Sequence, residues 1–287
     1  MTYWQIILLS IIQGAAELLP VSSSAHVIAA AKLMGLDPSS PPFTLMLLML
    51  HTGTMFAVIV YFWRAWKRAF FSSREVFEGF VQNILIATAI TGVLGLALKF
   101  IIEGYMHHRH PGAQKAEIEQ LFKHLELLAG ALAAAGVLIL YAGLASRHGP
   151  GRDNITTSDS IAIGAIQALC LPFRGFSRSG ATISVGLLRG IGKARLEEYS
   201  FALAVVLTPP LVAWEALRLV RHRAKDAVPI GLHDFTPSLI GMGFSFIAGL
   251  IALKVLSKLL EKGQWWVFGV YCLFAAGGVF ALYLKGY

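Results

Sequence analysis

The feature that most constrains this chain is a succession of apolar runs, each near the length of about 20 residues that a helix needs to cross a bilayer. The clearest cover 43–63, 80–102, 125–144, 199–217, 237–256 and 265–284. Only 14% of the 287 residues are charged and 56% are hydrophobic, with a mean hydropathy of +0.66. A soluble domain carries about 25% charged residues. The reading is an all-α polytopic membrane protein with about six full transmembrane helices. No polar stretch is long enough to bury a core of its own, so 1–287 forms one integral membrane domain.

Two stretches interrupt apolar sequence with chemistry that hydrocarbon does not tolerate freely. The first runs Gln13-Gly14-Ala15-Ala16-Glu17-Leu18-Leu19-Pro20-Val21-Ser22-Ser23-Ser24-Ala25-His26. Ionisable groups inside membrane segments are costly and mark a pathway or a site. Pro20 breaks the helix that begins near Tyr3, since proline lacks an N–H and clashes with the preceding turn. The serines can cap the next helix or present donors to an anion there. The second stretch runs Leu171-Pro172-Phe173-Arg174-Gly175-Phe176-Ser177-Arg178-Ser179-Gly180-Ala181-Thr182. Arginine offers a planar fork suited to phosphate, and hydroxyls add neutral donors.

The two stretches form a faint repeat. Ile12-Gln13 precedes Ser23 by the spacing that separates Ile166-Gln167 from Ser177, and the following apolar segments end at Gly35 and Gly190. Paired broken helices in two halves of a membrane protein point to a site between them. Segments 3–19 and 24–34 make the first broken pair, and 161–171 and 181–188 the second. The repeat halves are approximately 1–145 and 155–287. Lys and Arg in short loops set orientation. The strongest cluster, 64–74, is placed in the cytoplasm, so the first pair enters from outside and the second from inside. Arg218, Arg221, Arg223 and Lys225 run against this assignment, because it leaves them outside.

The net charge of +8 is read as loop charge that meets anionic membrane lipid, with no nucleic-acid partner. Cys170 and Cys272 lie in apolar surroundings and are read as unpaired. His107, His108 and His110 fall in an expected polar loop, 103–123, and are read as solvated. The first apolar run begins almost at Met1, so no removable signal peptide is expected. A homodimer is compatible with the sequence.

At Glu17-Leu-Leu-Pro20-Val-Ser-Ser-Ser-Ala-His26 and Gly175-Phe-Ser-Arg-Ser-Gly-Ala-Thr182 the chain closely resembles the undecaprenyl-pyrophosphate phosphatase, or bacitracin-resistance, family. The likeness covers nearly the full length. It implies an undecaprenyl-diphosphatase of the bacterial inner membrane, with inverted repeats and two re-entrant helix pairs. Such an enzyme hydrolyses undecaprenyl pyrophosphate to undecaprenyl phosphate and phosphate at the outer face. The lipid carrier of peptidoglycan precursors is thereby recycled, and bacitracin resistance follows. A divalent cation, Mg2+ or Ca2+, is implied, with Glu17 as its ligand. The motif residues fall on Glu17, Ser23 and His26, and on Ser177, Arg178 and Thr182. Three positions depart from the pattern: Gln13 stands where a second glutamate is frequent, Ala25 where glycine is, and Arg174 where proline is.

On this reading Glu17, Ser23, His26 and Arg178 are catalytic. Arg178, Ser177 and Thr182 clamp the phosphates, and Gln13, Ser22, Ser24, His51, Arg174 and Ser179 complete the substrate site. Glu17 holds a metal or activates the nucleophile. His26 is the general acid or base, because its unperturbed pKa lies near neutrality. Ser23 either attacks phosphorus or binds phosphate while water attacks. Two rival readings stand beside this one. Broken helices are also a transporter signature, which makes a transporter or lipid flippase the alternative. Gln13 prompts a non-catalytic lipid-pyrophosphate binder.

Overall fold

The computed structural model describes residues 1–38, 40–109, 124–146, 151–173, 175–225 and 232–286. Arg174 and His110 lie outside them, as do the side chains of His107, His108, Arg218, Arg221, Arg223 and Lys225. Among the described residues the chain forms α1 (Tyr3–Leu18), α2 (Ser23–Leu33), α3 (Pro41–Ala69), α4 (Arg74–Arg109) and α5 (Leu125–Ala145). These are followed by α6 (Thr157–Leu169), α7 (Arg178–Leu188), α8 (Lys193–Lys225), α9 (Leu232–Glu261) and α10 (Trp266–Leu284). Six of them, α3, α4, α5, α8, α9 and α10, are long and apolar enough to cross a membrane.

The four short helices make two hairpins. Helix α1 starts on a capping box at Thr2 and Gln5. It stops before Pro20, where the residue preceding a proline is pushed out of helical geometry. Helix α2 then folds back along it. Gln5 Nε2 donates to the Met34 carbonyl at 3.5 Å, which joins the start of α1 to the end of α2. Ile6 and Leu9 bury against Val27 and Ala31 between them. The second hairpin closes more firmly. Asp159, fully buried in the first turn of α6, accepts from Arg152 at 2.7 Å and from Arg189 at 2.6 Å. Arg152 also pairs by backbone with Gly190 and Gly192. Burial pushes the Asp159 pKa up, but hydrogen bonds from Arg152, the Thr156 N–H, Arg189 and the Thr156 hydroxyl outweigh it. The carboxyl is held well below the usual range. The chain thus leaves each hairpin where it entered, and both broken pairs expected from the sequence are present.

The hairpins exchange partners. Helix α1 lies along α9 in the same direction, with Ser10 beside Gly241, Gly14 beside Ser245 and Ala248, and Leu18 beside Gly249. Helix α6 lies along α4 in the same way, with Gly164 at Ala87 and Leu171 at Gly95. A methyl at Gly14 or Gly164 would sit 2.5 Å from the Ser245 or Ala87 carbonyl oxygen, so only glycine permits the approach. Close contact of this kind, rather than water exclusion, is what holds helices together in lipid. Helices α5 and α10 cross antiparallel at the centre, where Gly136 and Gly143 meet Gly269 and Trp266. One apolar core unites Leu18, Ala25, Ile139, Ile183, Leu203, Leu253 and Phe268 from seven helices.

Several helix ends differ from the sequence reading, α8 most of all at Lys193–Lys225 against 199–217, and two differences have a local cause. Helix α4 continues to Arg109 instead of yielding to a loop at 103. Its end carries a Lys99–Glu103 pair at 3.8 Å, one turn apart on one face. Helix α7 starts at Arg178 rather than 181, because the Ser177 hydroxyl caps it by accepting from the Gly180 N–H at 3.2 Å. The second break is therefore shorter than expected, and Arg178 is the first residue of a helix.

Candidate active site

The site forms where the two hairpin tips meet, and Glu17 is its centre. It lies in the last turn of α1, one turn after Gln13, so both project from one face. Glu17 Oε2 accepts from the Ser23 hydroxyl at 2.6 Å and from Gln13 Nε2 at 3.0 Å. Glu17 Oε1 lies 3.6 Å from Arg178 Nη2, which reaches across from α7. His51, from the first half of α3, places Nδ1 3.5 Å from Glu17 Oε2 and 3.2 Å from Gln13 Nε2. An amide nitrogen only donates, so its two hydrogens serve Glu17 and the imidazole. His51 Nδ1 is then an acceptor and its ring proton sits on Nε2.

The guanidinium is only half satisfied. Arg178 Nη1 is buried without a hydrogen-bond partner among the described residues. A buried donor left unmade costs about 1–3 kcal/mol, more when charged. Around it stand two helix N-termini, of α2 and α7. First-turn N–H groups have no partner inside their own helix and form a ready anion site. Between them the Glu17–Ser23 pair has the geometry of a nucleophile held by its base.

Not every motif residue joins this cluster. Ser22 sits before α2 with φ 65°, the only non-glycine residue in the left-handed region among the described residues. Such backbone costs of order 1–3 kcal/mol and collects at functional sites. The turn aims the Ser22 carbonyl back at His26, whose Nδ1 lies 2.8 Å away. Ser24 is half-buried beside Ser23. His26 turns to α10, where Nε2 lies 2.8 Å from the Tyr271 hydroxyl. Ser177 serves as the α7 cap, and Ser179 is buried one residue after Arg178. Thr182 is fully buried. Its hydroxyl bonds the Arg178 carbonyl at 2.9 Å and the Ser200 hydroxyl at 2.6 Å, so it packs α7 against α8 rather than facing the cluster. Tyr271 and Ser200 are contacts the sequence reading missed, since nothing in an apolar span marks one tyrosine or serine among others.

The repeat partner of Gln13 is Gln167, and the structure shows why only one half carries the cluster. Gln167 is buried and donates to Thr91 at 3.0 Å, while Leu171 stands where Glu17 stands in the first half. Among the described residues, the second hairpin brings Arg178 to the cluster as charge.

No group of three or more His, Cys, Asp or Glu residues that could hold a metal occurs among the described residues. Glu17 offers a carboxylate and Ser23 a hydroxyl oxygen. Magnesium keeps near-octahedral oxygen geometry and is usually shared between one or two carboxylates and substrate phosphates. The donor set fits an ion of that kind, completed by a phosphorylated ligand, and does not make an all-protein cage.

Residues 6–278 match the family model described as "Bacitracin resistance protein BacA". The chain is 53% identical over 280 residues to a protein of Acinetobacter baylyi named undecaprenyl-diphosphatase 2, covering 96% of each. It is 32% identical to the undecaprenyl-diphosphatase of Thermodesulfovibrio yellowstonii, again over 96% of each chain. It is also 32% identical to that of Geobacter metallireducens, over 94% of each.

Proposed function

The chain belongs to the bacitracin resistance protein family, and from that premise we propose that it hydrolyses undecaprenyl pyrophosphate to undecaprenyl phosphate and phosphate. The observation that carries this reading is Arg178 Nη1, a buried cationic donor with no partner among the described residues, set beside a carboxylate–hydroxyl pair. Nothing apolar satisfies such a group, whereas a phosphoryl oxygen does. The relatives described above are named diphosphatases, and no observation favours a transporter or a passive lipid binder.

In the proposed mechanism the substrate's terminal phosphate enters between the N-termini of α2 and α7. Arg178 binds it through Nη1 and shares Nη2 with Glu17. The Ser23 hydroxyl attacks the terminal phosphorus as Glu17 takes its proton. The new Ser23 Oγ–P bond forms as the bridging P–O bond breaks, and its electron pair leaves with undecaprenyl phosphate. Water then displaces Ser23 Oγ at phosphorus, Glu17 returns the proton to Ser23, and phosphate departs. Charge spread over the phosphoryl oxygens is met by Arg178 and the helix N–H groups, so catalysis is mostly positioning and electrostatic stabilisation. A divalent ion, held by Glu17 and the substrate's phosphates, would neutralise part of that charge. Gln13 supports Glu17, and His51 lies within reach of the same carboxylate oxygen.

The site is proposed to open outward in the bacterial inner membrane, where hydrolysis returns the carrier lipid for peptidoglycan synthesis. The test is phosphate release from undecaprenyl pyrophosphate by purified protein in detergent, where transbilayer movement has no meaning. Turnover by the parent is expected. Arg178→Lys should lose about 10–100-fold in kcat/KM, since one charge-assisted hydrogen bond is worth about 1.5–3 kcal/mol and a point charge does not replace a fork. Absent turnover by folded parent protein, or unchanged turnover in Arg178→Lys, overturns the assignment.

A further inference from the structure

His26 is a motif residue that the Glu17 cluster does not engage, and both its ring nitrogens are committed elsewhere. Nδ1 faces the Ser22 carbonyl at 2.8 Å. A carbonyl oxygen only accepts, so Nδ1 carries the hydrogen. In the neutral ring Nε2 is then the lone-pair nitrogen, and the Tyr271 hydroxyl donates to it at 2.8 Å. The two rings also stack, with centroids 5.6 Å apart and planes 11° from parallel. The contact joins residues 245 positions apart.

The stretch of α10 that supplies Tyr271 is itself fastened to the first break. The next residue, Cys272, is fully buried and its thiol donates to the Pro20 carbonyl at 3.3 Å. Pro20 and Ser22 thus each offer a carbonyl, one to α10 and one to His26. The left-handed turn at Ser22 has a definite product, an imidazole of fixed tautomer presented to a fixed phenol. Tyr271 remains 47% exposed, so the pair borders open space rather than core.

We propose that Tyr271 and His26 act in the reaction as one pair. The Ser22 carbonyl sets the Nδ1–H tautomer, Tyr271 holds the ring at one orientation, and Nε2 exchanges a proton with the reacting phosphoryl group through the half-exposed phenol hydroxyl. The phenol can follow either protonation state, because it donates to neutral Nε2 and accepts from Nε2–H. This inference rests on the diphosphatase reading. A residue that merely filled space at this point would need the ring and not the hydroxyl. A residue that bound the lipid would change affinity rather than turnover.

The experiment compares parent, Tyr271→Phe, His26→Ala and the double variant in detergent, each with phosphate-release kinetics and a thermal melt. Tyr271→Phe should lower kcat about tenfold with KM within twofold. In the His26→Ala background the same change should cost less than twofold, because a residue that acts through an absent imidazole has nothing left to act on. A second readout does not depend on turnover. In the nitrogen spectrum of protein with 15N-labelled histidine, the signals lost in His26→Ala should show the Nδ1–H tautomer in both parent and Tyr271→Phe, with the Nε2 signal shifted in Tyr271→Phe because it loses the phenol's hydrogen bond. Parent-like kcat in Tyr271→Phe, a rise in KM alone, or an equal loss in both backgrounds overturns the proposal. So does an unchanged His26 Nε2 signal. If the parent itself releases no phosphate while the Nε2 shift is seen, the diphosphatase reading fails and the pairing stands.

Discussion

Replacing Glu17 by glutamine removes one charge and almost no volume, so its effect measures what the carboxylate does. The structure sets the size of that effect. Glu17 Oε2 accepts two hydrogen bonds, from Ser23 at 2.6 Å and Gln13 at 3.0 Å, and Oε1 faces Arg178 at 3.6 Å. Ser23, Gln13 and Arg178 all donate toward these oxygens, while His51 Nδ1, 3.5 Å from Oε2, accepts. A glutamine must turn its NH2 toward Arg178 or toward Ser23 and Gln13, so donor meets donor unless the Ser23 hydroxyl and the Gln13 amide turn around. Leaving one buried donor unpaired costs about 1–3 kcal/mol of stability. The catalytic loss is larger. Removing a positioned general base costs about 10²–10⁴-fold, or about 3–5 kcal/mol of barrier at 1.36 kcal/mol per tenfold. Phosphate release from undecaprenyl pyrophosphate in detergent, with a thermal melt on the same sample, reads both quantities. Ser23→Ala is the companion variant. If serine and carboxylate act as one unit, the double variant should be no slower than the worse single. Folded Glu17→Gln protein that keeps more than a tenth of parental kcat would show Glu17 to be structural and place the chemistry elsewhere.

Gln13→Glu should keep activity and shift the magnesium and calcium optimum to lower concentration, because it adds an anionic oxygen 3.0 Å from Glu17 for a hard cation; an unchanged metal titration would mean Gln13 does not face the ion. Asp159→Asn should loosen the α6–α7 hairpin and lower the melting temperature by about 4–8 °C, from roughly 2 kcal/mol after discounting a buried pair for two partly exposed arginines. Because the Asp159 pKa is depressed in the fold, its contribution is present above the ordinary carboxylate range and is lost as pH falls through the folded value, so parent and variant melts should converge in acid. Asp37→Cys, in a background lacking Cys170 and Cys272, should react with an impermeant thiol reagent from the outside of cells; labelling only from the cytoplasmic face would reverse the proposed orientation.

The membrane architecture was legible because lipid imposes a length and a composition that the apolar runs display directly. The first hairpin was legible for a similar reason, since Pro20 among polar residues has few uses inside an apolar run. Where the breaks begin and end was less so. Ser177 belongs to the polar motif by composition, but its hydroxyl is spent as a cap, and Arg178 consequently opens a helix three residues earlier than expected. The exchange of partners between hairpins, α1 on α9 and α6 on α4, left only the close-packing glycines as a trace. Gly14 and Gly164 do not announce which helix they admit.

Within the candidate site the sequence named residue types and could not assign their directions. Glu17, Ser23 and Arg178 were all named as candidates, and the structure brings them together. His51 and Gln13, on separate helices, join them at 3.2 Å through an amide that spacing could not have linked. Thr182 shows the opposite case. One helical turn from Arg178, it should share that face, but a threonine can bond back to the carbonyl four residues earlier, and here it does. That bond turns its hydroxyl to Ser200 and leaves Arg178 without a neighbouring hydroxyl from its own helix. Arg178 Nη1 has no partner among the described residues. A chain that surrounded Arg178 with its own acceptors would be more stable and would have no demand for a phosphate, so the unmet hydrogen bond is the feature on which the proposed phosphate site rests.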